Sequence, residues 1–171
     1  MARRPYAEGD WFLVPVPWDF TREVTPEPVS GVVLVARGRR GRVAFVYVFG
    51  PWGFEPSSSD LELLKPGDAV FTCLLWDEPL RDETFKRLGG NPTFTRDGWP
   101  MPWFSIHSGL PGTPSHAVRS SEDEPYKRFE SWPIAADFAL QLPEWKVGGA
   151  AEIYEKLARP DEPTFRISDL A

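Results

Sequence analysis

The sequence predicts a mainly β domain: a twisted antiparallel sheet or a partly open barrel, with one or two helices in the C-terminal third. Three observations predict it. The 19 prolines and 14 glycines among 171 residues interrupt the chain too often for a helical bundle. Two β-branched and aromatic runs, residues 29–36 and 42–49, flank Arg37-Gly38-Arg39-Arg40-Gly41, and a glycine-bearing turn between two such runs marks a β-hairpin. Both runs are apolar at nearly every position, which predicts a sheet covered on both faces. The length is that of a single domain spanning residues 1–171, enough to bury a core.

Each element follows from local chemistry. Residues 10–16 read as a short strand entered through the Glu8-Gly9-Asp10 turn. Pro15 and Pro17 cannot donate ladder hydrogen bonds, so the second half of that strand belongs at a sheet edge or bends outward. Residues 19–28 are polar and form a loop. The hairpin follows, and Gly50-Pro51-Trp52-Gly53 ends its second strand. Ser57 to Asp60 start a loop or short helical turn, and residues 67–76 form another strand behind a turn. Residues 80–88 read as one short helix, stopped by Gly89-Gly90-Asn91-Pro92. Residues 99–107 are strand or extended chain, interrupted by Pro100 and Pro102, and residues 109–125 are a long loop. Residues 133–142 fit a partly buried helix or strand. Ala150, Ala151, Ile153, Tyr154 and Leu157 fall at helical spacing within 148–157, with Pro160 as a stop. Residues 164–167 read as a terminal strand.

Composition excludes several classes of function. The net charge is −6, with +2 on the first fifty residues and −8 on the rest. Phosphate neutralisation supplies most nucleic-acid affinity, so this charge argues against nucleic acid and for a basic partner. Arg37, Arg39, Arg40 and Arg42 are better read as an exposed hairpin tip whose charges discourage edge pairing. No run approaches the roughly 18 apolar residues of a membrane helix, and no apolar stretch follows Arg3 and Arg4 as in a secretory signal, so a soluble cytoplasmic protein is expected.

The one cysteine, Cys73, cannot form an internal disulfide and sits in an apolar run. His107 and His116 lack any HExxH or paired-cysteine context, so no metal is expected. Ser105 and Ser108 lie near His107, but the GxSxG elbow is absent, so no catalytic residue is assigned and no cofactor is expected. The carboxylates Asp77/Glu78, Asp82/Glu83 and Glu122-Asp123-Glu124 read as solvated surface unless two of them face each other across a cleft.

The eight tryptophans are the most informative bias, and five adjoin proline: Trp18, Trp52, Trp99, Trp103 and Trp132. Such positions lie at strand ends and loops. Rings there either lid a β core or form a rigid platform for a protein partner.

The start of the chain is more specific. Glu8-Gly9-Asp10-Trp11-Phe12-Leu13-Val14-Pro15-Val16, then Gly31-Val32-Val33-Leu34 and the strand over 43–49, resembles the immunity protein 26 family of bacterial polymorphic-toxin systems. Asp97-Gly98-Trp99-Pro100 is similar to a later element of that family, and the likeness covers roughly the first 105 residues. The loop over 19–28 is longer and richer in proline than the family pattern. The resemblance implies a small, largely β protein that binds and neutralises a cognate toxin and has no enzymatic activity. Its matching positions Gly9, Asp10, Trp99 and Pro100 are expected to serve turn and packing.

Combined with the charge, this reading makes an inhibitor with an acidic, aromatic-rich surface. The candidate contacts are Trp18, Trp52 and Trp103 with Asp77, Glu78, Glu122, Asp123 and Glu124. The alternative is an enzyme or carbohydrate-like small-ligand binder with an aromatic-lined β cleft.

Overall fold

The computed structural model describes residues 6–38, 42–107 and 111–160. Along the chain run β1 (Asp10–Pro15), α1 (Trp18–Thr21), β2 (Ser30–Arg37), β3 (Val43–Trp52), α2 (Ser58–Glu62), a 3₁₀ turn (Pro66–Asp68), β4 (Phe71–Trp76), α3 (Glu78–Arg81) and β5 (Lys86–Gly90). They are followed by β6 (Phe104–Ile106), β7 (Ser115–Ser120), β8 (Arg128–Ile134), α4 (Ala136–Ala139), β9 (Val147–Gly148) and α5 (Ala150–Ala158). One sheet has six strands in the order β5-β1-β2-β3-β4-β9, and the other three in the order β6-β7-β8. All pairs are antiparallel except β4 with β9. The six-stranded order ends at β5 and β9, so the fold is mainly β and no barrel closes.

The apolar hairpin strands are covered on both sides, as their composition demands. Val32, Leu34, Ala36, Phe45, Tyr47 and Phe49 face one core with Trp11, Trp99, Phe104 and Val118. Their alternates Val33, Val35, Ala44, Val46 and Val48 face a second core closed by Leu80, Phe85 and the α5 residues Ile153 and Leu157. The layers are therefore helix, large sheet, then small sheet with the loop over 91–103. Close approach fixes one residue type: a Cβ at Gly31 would lie 2.6 Å from the Phe49 carbonyl oxygen and 2.6 Å from Leu157 Cδ1. Pro15 ends β1, and β5 pairs only with Asp10 through Leu13, so the end of β1 has a sheet neighbour on one side alone.

Three expectations are corrected. Residues 80–88 are not one helix. Pro79 starts a single turn, Glu83 takes a left-handed backbone (φ 67°), and the chain then extends as β5 so that Phe85 fills the second core. Within 109–125, Ser115–Ser120 form β7, because Ala117 and Val118 bury while Arg119 stays out. The hairpin tip is not wholly exposed either: Arg42 is exposed, but Arg37 is only 2 % exposed. Arg39, Arg40 and residues 164–167 lie outside the described residues.

Candidate protein-binding surface

The acidic run is held by cations of its own chain. Arg37 ends β2 and turns inward. Its Nη1 donates to the Ala36 and Trp99 carbonyls (2.7 and 3.0 Å), its Nη2 to the Arg96 carbonyl (3.2 Å), and its Nε to the Glu122 carboxylate. Arg96 donates to both Glu8 oxygens (3.0 and 2.8 Å) and to Asp123 Oδ1 (3.0 Å). Hydrogen bonding to Glu8 is the larger reason that the Arg96 guanidinium holds its proton more tightly than a free arginine. Lys127 Nζ lies 3.3 Å from Glu124. Glu122 and Asp123 are thus half-exposed staples that tie the loop after β7 to β2 and to the 91–103 loop, while Glu124 pairs within its own loop.

Asp77 is corrected from surface contact to internal ligand. It is buried at the end of β4, where Tyr6 Oη donates to its Oδ2 (2.9 Å) and Arg81 Nε lies 3.0 Å from its Oδ1. Glu78, next to it, is exposed in the first turn of α3.

Of the four positions quoted for the immunity-family resemblance, Gly9 and Asp10 lie in a turn and Trp99 is buried, whereas Pro100 is exposed and contributes its carbonyl. Gly9 has φ +89°, and its amide donates to the Val35 carbonyl (2.7 Å). The buried Asp10 carboxylate accepts two bonds from Arg87 (2.9 and 2.8 Å) and one from the Ala7 amide (2.8 Å), which closes the turn and pins β5. Trp99 is buried edge-on against Trp11, Tyr47 and Phe49. Tyr47 Oη donates to the Pro100 carbonyl, and burial raises the Tyr47 phenol above its ordinary pKa while Arg37 opposes the rise.

The three candidate tryptophans do not share one surface. Trp18 is exposed on α1, which packs on α5, whereas Trp52 packs half-buried on the opposite core and stacks on Phe54. Trp103 lies on the small sheet, where a different set of rings gathers. Phe104 and Val118 point into the core, so alternation places Trp103, Ala117, Arg119 and Trp132 on the outer face. The Trp103 and Trp132 rings meet across β7, where the small Ala117 leaves room, with centroids 3.8 Å apart. The β7–β8 register shifts beside Arg119, and the Arg119 guanidinium lies 5.4 Å from the Phe129 ring centroid. Ala139 of α4 buries against this sheet and leaves Phe138 and Leu140 exposed.

No family model, curated protein or solved structure matches the chain. The surface must therefore be judged on its own chemistry.

Five of the eleven large hydrophobic side chains exposed among the described residues are Tyr126, Phe129, Trp132, Phe138 and Leu140, all within one short stretch. Phe129 is 70 % exposed and Trp132 38 %, although both lie on a strand. Single exposed hydrophobics need no explanation, but a cluster of large ones marks an interaction surface. Phe129, Phe138 and Leu140 were not among the sequence candidates, and Trp132 was noted only as a proline neighbour. Among the described residues no group of three or more His, Cys, Asp or Glu is placed to hold a metal ion. No helix among them is long and apolar enough to cross a membrane. His107 lies between two serine hydroxyls, with Nε2 3.4 Å from Ser105 Oγ and Nδ1 3.4 Å from Ser115 Oγ, and Ser105 is fully buried.

Proposed function

We propose that this chain is an immunity-type inhibitor, which neutralises a cognate toxin domain in the cytoplasm by binding it with the outer face of the three-stranded sheet. The observation that carries the reading is β8, which stays exposed from Arg128 to Pro133 while presenting Trp132 beside Trp103 and Phe129 beside Arg119. Aromatic anchors of this kind dominate protein–protein binding energy. The resemblance of residues 8–16, 31–34 and 97–100 to the immunity protein 26 pattern supplies the class of partner. The net charge of −6 favours fast encounter with a basic toxin, while the aromatic face supplies the affinity. The reading involves no catalytic step, cofactor or nucleic acid.

The test is co-expression. Each gene product encoded beside this chain is expressed alone and together with it. The reading expects one that arrests growth alone, is tolerated together, and regains toxicity when the chain carries Phe129→Ser and Trp132→Ser. Arrest relieved equally well by that double variant would move the binding surface elsewhere. Finding no neighbour whose toxicity the chain relieves would overturn the immunity reading.

A further inference from the structure

We propose that Arg119 and Glu130 set the specificity of the aromatic face, each taking an opposite charge from the partner protein: a carboxylate on Arg119 and, beside it, a lysine or arginine on Glu130. The inference rests on the toxin-binding reading and names the chemistry that the partner must present at this face.

The register of the small sheet brings the two charges together. Arg119 stands on the middle strand directly opposite Glu130 of β8, so both side chains belong to the outer face. Phe104 pairs with Val118, which puts Trp103 on the β6 side of Arg119. Trp132 follows Glu130 two residues on along the same face and meets the Trp103 ring. The register shift adds Phe129 before Glu130, with its ring centroid 5.4 Å from the Arg119 guanidinium. Arg119 and Glu130 thus lie between the two indoles and the Phe129 ring.

Opposite charges directly across two strands would ordinarily pair, and these do not. Neither Arg119 nor Glu130 forms an ion pair or side-chain hydrogen bond with a described residue. The guanidinium is turned to Phe129, a ring that leaves its N–H donors available for a carboxylate. Both groups are exposed and solvated in the free chain. A protein docked on the surrounding rings removes that water, and a charge desolvated without an opposite partner is strongly unfavourable. The surface that fits is therefore apolar where it meets the rings and carries an acid and a base at the cross-strand spacing of about 5 Å. A surface lacking either charge is rejected.

The test is the affinity of the chain for the neighbour gene product whose toxicity it relieves, measured by calorimetric titration. Arg119→Glu and Glu130→Arg are each expected to raise Kd about tenfold, because each sets like charges against one another across the interface. The swap Arg119→Glu/Glu130→Arg leaves the net charge at −6, so long-range steering is unaltered. It meets the partner with two mismatches and is expected to bind at least as weakly as the weaker single variant. Both side chains are exposed and unpaired among the described residues, so melting temperatures should stay close to that of the unmodified chain. Recovery of the swap to within about threefold of the unmodified chain would mean that the two charges pair with each other on docking, and overturns the proposal. Single variants that bind like the unmodified chain overturn it too, while leaving the toxin-binding reading in place. If the unmodified chain neutralises no neighbour, that reading and this proposal fall together.

Discussion

Arg37→Met tests whether one buried cation clamps the loop over 91–103 and the acidic run onto the large sheet. Arg37 is 2 % exposed, and its guanidinium serves three carbonyls, of Ala36, Trp99 and Arg96, besides the Glu122 carboxylate. Glu122 is 48 % exposed, so solvent screens its attraction and the ion pair itself contributes little. The carbonyls decide the magnitude, because a buried acceptor left without a donor costs about 1–3 kcal/mol. Partial access of water at the rim keeps the total near ~3 kcal/mol, a large share of the roughly 5–15 kcal/mol by which a domain is stable. For a chain of this length that corresponds to a drop in melting temperature of about 6–12 °C. Glu122→Gln keeps an acceptor for Nε and is expected to cost about 0.5–1 kcal/mol. Urea unfolding followed by tryptophan fluorescence reads both. An Arg37→Met midpoint within about 1 kcal/mol of the unmodified chain, or a Glu122→Gln cost equal to it, would refute the clamp.

Three further outcomes follow from the packing. Gly31→Ala drives a methyl into the Phe49 carbonyl and Leu157, and is expected to cost about 1–3 kcal/mol, whereas Gly67→Ala meets nothing within 4 Å and should leave the melting temperature nearly unchanged. Burial pushes the Cys73 thiol up to about 12, so alkylation by iodoacetamide at pH 8 should be slow in the native chain and fast in urea; equal rates would count against a buried thiol. Burial also raises the Tyr47 pKa, so the folded chain keeps that proton at a pH where the unfolded chain has lost it. Its contribution is therefore whole below about pH 10 and lost as pH rises further. Tyr47→Phe should flatten the alkaline fall in stability, and an unchanged slope in urea titrations at pH 9–11 would contradict this.

The hairpin was legible because its runs are apolar on consecutive positions, a pattern satisfied only by a sheet buried on both faces. The helix over 150–158 was legible through its spacing. β5 was hidden because its pairing depends on a distant Asp10–Arg87 bond, while Leu80, Phe85 and Leu88 mimic an amphipathic turn. The acidic run misled for a related reason. Charge alone does not show that Arg37 and Arg96 lie beside it, brought there by sequence separations of 85 and 27 residues. Exposure on β8 was illegible too. Phe129 and Trp132 are three residues apart, a spacing that strict alternation would send to opposite faces, and only the register shift beside Arg119 and the place of β8 at the sheet edge leave both uncovered on one side.

The most direct measurement of the central claim is hydrogen–deuterium exchange of the chain alone and bound to the neighbour gene product whose toxicity it relieves. Binding through the outer face of the small sheet is expected to slow exchange across residues 103–106, 115–120 and 126–134. Protection confined to residues 18–24 or 52–63, with β8 unchanged, would contradict the account.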